Sequence, residues 1–251
     1  MKINAQSAWL ACVSATLLFG ASAQAEENAR DAYNEPTRGF FVEHATVSGQ
    51  GKVSAELHTG SDDVEVGGGV RLGLPNSELI VNSGLTDADG TEAVFKWGLN
   101  EVLNKNRSST SGARFDWAAL IGVSHVDSEN ANGQTTVDQT DIRVGAAVTI
   151  NVDAATFTLH PELVYSDGNV RDDNYAQVNL GAYVGIIDTV SGLFSMGAEA
   201  LITTEDDRDN TYALGVRWAY NQRVNLDFVP VVNSDGDRIG FPGLVRLNVG
   251  L

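Results

Sequence analysis

The chain has 251 residues, with 33 acidic side chains against 16 basic ones and a formal net charge of −17. A chain this acidic is repelled by phosphate backbones, so no nucleic-acid partner is expected. After residue 25 it has no apolar run long enough for a membrane helix, which excludes an all-helical membrane protein.

The first predicted element is a secretory signal peptide over residues 1–25. Its apolar run covers residues 8–21, and Ala23-Gln24-Ala25 is a small-x-small cleavage site. The single cysteine, Cys12, lies inside it, and Trp9 stands where a lipoprotein signal has an aliphatic residue, which argues against lipidation. We therefore expect an exported mature chain without disulfides or thiol chemistry, held by packing and backbone hydrogen bonds.

Residues 26–44 are polar and irregular, with Pro36 and Gly39, and are interpreted as a periplasmic N-terminal lead-in. Over residues 45–251 apolar residues recur at every second position, the pattern of β-strands with one apolar and one polar face. The pattern predicts about twelve strands. Their apolar series begin at Val47, Val64, Leu79, Ala93, Phe115, Ile142, Phe157, Val178, Phe194, Tyr212, Leu226 and Val245.

Three places in this series are irregular. Ile80 breaks the alternation of the third predicted strand. Pro161 lacks an N–H donor, so we expect it at a bulge or at a local weakening of the ladder. Residues 100–112 fit a long turn, a short helix or an extension of the flanking strands.

The connections between the predicted strands alternate in kind. One set is short, at residues 75–77, 151–154, 188–192 and 221–223. The other set is longer and acidic, at residues 127–136, 167–174, 204–211 and 233–240. An even number of strands with short turns at one end and longer loops at the other is the layout of an outer-membrane barrel, with both chain ends in the periplasm.

The last predicted strand, FPGLVRLNVGL over residues 241–251, alternates strictly and needs a partner, which the first strand would supply by closing a barrel. This ending resembles the C-terminal strand of bacterial outer-membrane β-barrel proteins, although those usually end on Phe or Trp and this chain ends on Leu251. The resemblance implies a closed antiparallel up-and-down transmembrane barrel over residues 45–251 in the bacterial outer membrane. It also implies porin-like transport, contact with outer-membrane lipid and lipopolysaccharide, and recognition of the C-terminal strand by the outer-membrane assembly machinery.

Aromatic residues indicate which face of the barrel meets lipid. A soluble barrel would hold its aromatics at strand middles, whereas two rings at the strand ends are typical of a bilayer-spanning barrel. The ring near the short turns is predicted from Trp97, Phe115, Trp117, Phe157, Phe194, Trp218 and Tyr220. The ring near the long loops is predicted from Tyr165, Tyr175, Tyr212 and Phe241. The apolar series is therefore expected to face lipid.

The opposite series is charged and is predicted to line the lumen. Its basic members are Lys52, Arg71, Lys96, Arg114, Arg143, Arg217 and Arg246. Its acidic members are Glu56, Glu65, Glu92, Asp116, Asp141, Glu162, Glu199 and Asp227. Unpaired charges are not stable in a dry core, so these residues form either a structural ion-pair network or a charged constriction in a pore.

We expect pairing along single strands to narrow the passage. The predicted pairs are Lys52 with Glu56, Glu92 with Lys96, Arg114 with Asp116, and Asp141 with Arg143.

Catalytic motifs are absent from the sequence, which has no nucleophile elbow, no HExxH and no phosphate-binding glycine loop. Residues 87–90 and 235–237 resemble fragments of a calcium loop but lack its spacing and closing Glu, so no metal or cofactor is expected. Ser124, His125 and Asp127 lie at the outer end of the fifth predicted strand, where some outer-membrane lipid hydrolases hold a Ser/His pair. Ser124 and His125 point to opposite faces, so we predict no catalytic residues and no enzyme.

The sequence thus predicts an outer-membrane barrel that forms a narrow passive pore for ions or small polar solutes. One alternative is a structural or surface-interaction barrel whose lumen is blocked by side chains. The other is the lipid hydrolase. Nothing in the sequence names a solute or an oligomeric state.

Overall fold

The computed structural model describes residues 40–60, 66–84, 89–103, 113–129, 135–152, 155–169, 172–204, 210–221, 223–233 and 239–251. Within them the first six strands are β1 (Val53–Gly60), β2 (Gly67–Leu74), β3 (Ser77–Gly84), β4 (Asp89–Gly98), β5 (Ala113–Glu129) and β6 (Thr135–Val152). The other six are β7 (Ala155–Gly168), β8 (Asp173–Thr189), β9 (Gly192–Thr203), β10 (Thr211–Ala219), β11 (Val224–Asn233) and β12 (Ile239–Gly250). One short helix, α1 (Asn100–Leu103), lies between β4 and β5.

The strands form a closed antiparallel barrel in which each pairs with its neighbours in sequence and β1 pairs with β12. The closing register runs from Ser54 opposite Gly250 to Gly60 opposite Leu244. Closure leaves no free sheet edge, so strand N–H and C=O groups find partners around the ring. This confirms the predicted fold class of a twelve-stranded barrel. No helix in the described part of the chain is long and apolar enough to cross a membrane.

Alternation along the strands separates an apolar outer face from a polar inner one. In β7 the side chains of Leu163 and Tyr165 are 66% and 47% exposed, while Glu162 and Val164 between and beside them are buried. Successive side chains of a strand point to opposite faces, so one series faces out and the other faces the lumen. The apolar series is the outer one, the reverse of a soluble barrel.

The first strand begins at Val53, whereas the sequence predicts the barrel from residue 45 and the apolar series of its first strand from Val47. The chain turns at residues 49–52, where Gly51 has a φ of 77° and Lys52 N–H donates to Gly49 O at 3.0 Å. Gly51 N–H donates to Gly73 O at 2.9 Å, which ties this turn to the end of β2. Val47, Gly49 and Gly51 alternate with polar residues, but glycine adds no apolar side chain, so the pattern does not define a strand there.

The irregular places have local explanations. Pairing between β6 and β7 is interrupted between the Gly145–Glu162 and Val148–Leu159 pairs, with no shift of register, as expected for a proline at position 161. Ile80 is buried on the inner face of β3. The start of the 100–112 stretch is the short helix, and residues 104–112 lie outside the described residues.

Candidate functional site

The lumen is occupied by the chain's own residues 40–48, which we call the lumen segment. Phe40 and His44 are 0% exposed, and Val42, Ala45 and Thr46 are also buried. These residues precede β1 and lie outside the twelve strands, so their surroundings are the inward side chains of the wall. Residues 40–44, the end of the lead-in predicted over residues 26–44, therefore lie inside the barrel. The rest of it lies outside the described residues.

One end of the lumen segment is held by Glu199, which projects inward from β9. Its Oε1 accepts a hydrogen bond from Phe40 N–H at 2.7 Å, and its Oε2 accepts from Phe41 N–H at 2.6 Å and Val42 N–H at 3.2 Å. Three successive backbone N–H groups thus converge on one buried carboxylate, an arrangement that satisfies the charge and orders the peptide. We call this the Glu199 site.

Phe40 is held further by the neighbouring strands. Its carbonyl oxygen accepts a 2.6 Å hydrogen bond from Arg246 Nη1 on β12. Its ring packs in a buried apolar cluster with Tyr183, Ala213, Val229 and Leu244. The backbone and the side chain of this residue are therefore both bound by the wall.

Arg246 belongs to a buried cluster that joins three adjacent strands. Asp227 on β11 accepts from Arg217 Nε at 2.6 Å and from Arg246 Nη2 at 2.6 Å. Both arginines make a second hydrogen bond to Asp227 Oδ2, each at 3.0 Å. Two guanidinium groups and one carboxylate satisfy one another here, which leaves Arg246 rigidly placed against the lumen segment.

A second attachment point lies on the opposite wall, and we call it the Glu43 site. The Glu43 carboxylate pairs with both terminal guanidinium nitrogens of Arg71 on β2, Nη1 at 3.0 Å and Nη2 at 2.5 Å, and with Lys96 Nζ on β4 at 3.4 Å. Lys96 also pairs with Glu78 on β3 at 2.7 Å. The Glu78 carboxylate accepts a hydrogen bond from Ser48 Oγ as well, so both ends of this charge chain touch the lumen segment.

Between these two sites the segment touches the walls of β5 and β6. Ala45 N–H donates to Thr149 Oγ1 at 2.8 Å, and Thr46 Oγ1 donates to Asp116 Oδ2 at 3.1 Å. The Ala45 methyl packs in a buried cluster with Ala118, Leu120 and Ala147. The small side chains of Ala118 and Ala147 at inward positions leave room for a peptide backbone beside the wall.

Above the segment, towards the long-loop end, lies a cavity of about 400 Å³ that we call the upper cavity. Phe40 and Phe41 contribute to its lining from the lumen segment, and the wall contributes Glu92, Asp141 and Arg143. Arg143 pairs with Glu92 at 3.1 Å and donates to Ser124 Oγ at 3.2 Å. Asp141 accepts from Ser166 Oγ at 2.7 Å. The lining of the cavity therefore includes charged side chains of both signs.

The structure places the predicted lumen residues as follows. Buried inside the barrel are Glu56, Arg71, Lys96, Asp116, Glu162, Glu199, Asp227 and Arg246. Half-buried are Glu92, Asp141, Arg143 and Arg217. Exposed are Arg114 and Lys52, the latter just before β1. Glu65 lies outside the described residues.

Most of these ion pairs form between residues on neighbouring strands and fewer form along a single strand. Arg114 and Asp116 pair at 3.2 Å as predicted. The predicted Glu92–Lys96 pair is replaced by Glu92 with Arg143 and by Lys96 with Glu78. Two inward steps along one strand span about 13 Å, which is beyond side-chain reach, whereas adjacent strands lie about 5 Å apart. The same distance argues against the predicted Lys52–Glu56 pair. In place of the predicted Asp141–Arg143 pair, Asp141 accepts a hydrogen bond from Ser166 and Arg143 pairs with Glu92.

Sequence reasoning missed several residues that bind the lumen segment. Glu78, Thr149 and Tyr183 each share the parity of the inward series, which would have identified them. Glu78 also faces Lys96 directly across the β3–β4 pair. Glu43 carried no signal, because it lies outside any strand and its partners depend on the course of the segment.

Most residues of the two predicted aromatic girdles face outward. Trp97 is 51% exposed on the outer face. Phe194 and Trp218 stack at 6.1 Å, and Trp218 Nε1 donates to Ser191 O at the turn between β8 and β9. Other outward members are Phe115, Trp117, Phe157, Tyr165, Tyr212 and Tyr220. Phe241 lies in β12, and its side chain is outside the described residues.

Tyr175 does not belong to these girdles. It is 9% exposed and sits opposite Val164, which is buried on the inner face of β7. Cross-strand partners share a face, so Tyr175 points inward. The prediction failed because Tyr175 is out of phase with Val178 and Leu180 of its own strand.

The residues considered for hydrolysis are not brought together. Ser124 faces the lumen and binds Arg143, while His125 Nδ1 lies 3.0 Å from Thr140 Oγ1 on the outer face. Asp127 is paired in register with Asp138. Within the described ranges no group of three or more His, Cys, Asp or Glu side chains is placed to hold a metal ion.

Comparison with known proteins finds similarity to solved structures. No family model matches the chain, and no curated protein matches it. The chain is similar to the KdgM porin in complex with disordered oligogalacturonate, at 11% sequence identity and a TM-score of 0.49. The match covers 79% of this chain and 96% of that chain. At this identity the likeness concerns the fold alone.

Proposed function

We propose that this protein is an outer-membrane β-barrel that forms a narrow passive passage for ions or small polar solutes. The observation that carries the proposal is the pairing of an apolar outer face with a charged inner face. Exposing an apolar surface around the whole barrel to water is unfavourable in free energy, whereas the hydrocarbon of a bilayer solvates such a surface well. A closed barrel also leaves no unpaired strand edge to meet lipid.

Location and orientation follow from the same layout. The signal peptide predicted at residues 1–25 would export the chain, and the C-terminal strand would engage the outer-membrane assembly machinery. The short turns would then face the periplasm, and the longer acidic loops would face outside among lipopolysaccharide.

The upper cavity and the lumen segment together set the size of the passage. A cavity of about 400 Å³ is in the range that holds small molecules, and its lining carries charged side chains of both signs. Below it the lumen segment and its ion pairs occupy much of the cross-section. We therefore expect a conductance far below that of a general porin.

The alternative is a structural or surface-interaction barrel with a blocked lumen. It is favoured by the complete burial of Phe40 and His44, which puts part of the lumen segment out of contact with solvent. In that case the charged inner face serves only to fix the segment in place.

Single-channel recording of the refolded protein in a planar bilayer separates the two functions. A pore should give small current steps, and its cation preference should fade at high salt because the acidic loops act over about 8 Å at physiological ionic strength. Stable insertion without any conductance, over a wide range of voltages, would leave the blocked barrel as the function.

A further inference from the structure

We propose that the lumen segment is a displaceable plug, a tethered peptide ligand for which the barrel wall is the receptor. Its consequence for conduction rests on the function proposed above, whereas binding of the segment to the wall does not. The occupant is residues 40–48 of this chain, and the receptor consists of the Glu199 site, the Glu43 site and the wall between them.

The contacts of the segment are those of a bound peptide. Glu199 accepts hydrogen bonds from its backbone N–H groups, and Arg71 and Lys96 pair with its Glu43 side chain. An apolar pocket binds its Phe40 ring. Glu199 lies on β9, whereas Arg71 and Lys96 lie on β2 and β4 across the ring, so the segment bridges the lumen from wall to wall. A phenylalanine and a glutamate three residues apart are the two side chains that define the fit.

The barrel does not depend on the segment for closure. β1 pairs with β2 on one side and with β12 on the other, and the described ladders run around the ring without residues 40–48. The attachments described above use side chains of the wall, apart from the turn at residues 49–52. A unit held by such contacts, and outside the strands, opens at lower free energy than the strands themselves.

The segment also has a hinge about which it can leave the lumen. Gly51, with its φ of 77°, forms the turn between the segment and β1 at the short-turn end. Withdrawal would expose Glu199 on one wall and Arg71 and Lys96 on the other, and water would replace the lost hydrogen bonds. The lumen would then offer a charged, hydrated passage between the upper cavity and the short-turn end.

The first test reads the position of the segment without any need for conductance. Ala45 is buried and small, so Ala45→Cys in the otherwise cysteine-free mature chain reports exposure to a water-soluble thiol reagent in detergent micelles. We expect slow labelling in the parent. Adding Glu43→Gln and Glu199→Gln should accelerate it at least about tenfold, since each change weakens a buried charge-assisted contact.

The matched control removes the same charge elsewhere in the lumen. Glu92 pairs with Arg143, and Glu162 accepts from Asn179 at 2.8 Å. Glu92→Gln with Glu162→Gln should leave labelling at position 45 within about twofold of the parent, because neither side chain holds the segment. Equal acceleration by both pairs, or fast labelling in the parent, would overturn the plug.

A second test uses the full chain with its ion pairs intact, in case the Glu199 variant does not fold. Ala45 and Ala147 pack in one buried cluster, so Ala45→Cys with Ala147→Cys should form a disulfide that fixes the segment to β6. Oxidation should abolish current steps in a planar bilayer and reduction should restore them. The two single-cysteine variants should show neither effect.

The outcomes separate this inference from the proposed function. Accelerated labelling in barrels that never conduct would support the plug and refute the pore. Steady conductance that is unchanged by the disulfide, with labelling unmoved by Glu43→Gln and Glu199→Gln, would support the pore and refute the plug.

Discussion

At the scale of single residues, the lumen segment and the barrel wall are held together by carboxylates, each of which binds more than one donor. Asp227 is the clearest case, because it lies fully buried between the guanidinium groups of Arg217 and Arg246. The desolvation of three charges is tolerated only while all of them are paired. Arg246 also holds Phe40, so this cluster supports both the wall and the lumen segment.

Asp227→Ala should destabilise the barrel by about 3–5 kcal/mol, because two buried guanidinium groups would lose their shared carboxylate. The measurement is the urea midpoint of unfolding in micelles, followed by tryptophan fluorescence. Asp141→Ala is the control, since Asp141 is only half-buried and accepts from the neutral groups Ser166 and Gln139, whose loss should cost about 1 kcal/mol. Equal midpoints for Asp227→Ala and the parent would contradict the role assigned to this cluster.

The sequence predicted which residues of this cluster face inward but not how they pair. Parity along β10, β11 and β12 is enough to place Arg217, Asp227 and Arg246 on one face. Their contacts depend on the register between strands, in which Arg217 and Arg246 both lie directly opposite Asp227. Register is set by turns and bulges across the whole sheet, and a single sequence does not reveal it.

At the scale of elements, the turn at residues 49–52 decides where the barrel begins. Gly73 of β2 exchanges hydrogen bonds with this turn, and a Cβ at position 73 would lie 2.1 Å from Gly49 O. Backbone cannot yield as a flexible side chain does, so the contact requires glycine at this position. The turn therefore anchors the end of the lumen segment to the wall.

Gly73→Ala should push this turn away from β2. We expect a loss of about 1–3 kcal/mol, typical of overpacking, and faster thiol labelling of Ala45→Cys in the same background. Gly90→Ala is a suitable control, because its added Cβ would meet only Val126 Cγ2, at 3.5 Å. If Gly73→Ala behaves like Gly90→Ala in both measurements, the turn does not anchor the segment.

The strands themselves were predictable, whereas the lumen segment was not. Eleven of the strands rest on apolar alternation that the fold retains. Where the alternation runs through glycines, before β1, the chain instead forms the end of the lumen segment and the turn at residues 49–52. Burial in the lumen rests on polar contacts with distant strands, such as Ala45 with Thr149 and Phe40 with Glu199. Contacts of this kind leave no periodic trace in the sequence.

At the scale of the whole molecule, the short turns at one end and the longer loops at the other predict an orientation in the outer membrane. Asn76 and Asn221 lie at short turns, while Asp172, Asp207 and Asp235 lie in the longer loops of the sequence. Single cysteines at the three aspartates should react with an impermeant reagent on intact cells, whereas cysteines at the two asparagines should not. Permeabilised cells provide the control for reactivity. Labelling of Asn76→Cys or Asn221→Cys on intact cells would reverse the orientation.

The charge of the upper cavity sets the selectivity of the proposed passage. Arg143 pairs with Glu92 there, so Arg143→Ala removes one of the two arginines in the lining and leaves the carboxylates of Glu56, Glu92 and Asp141 in a wider space. We expect a larger conductance and a stronger cation preference, measured as the reversal potential in a salt gradient at low ionic strength. Arg223→Ala removes an equal charge from an exposed turn and should change neither quantity. A shift towards anions, or equal shifts in the two variants, would show that ions do not pass by way of the upper cavity.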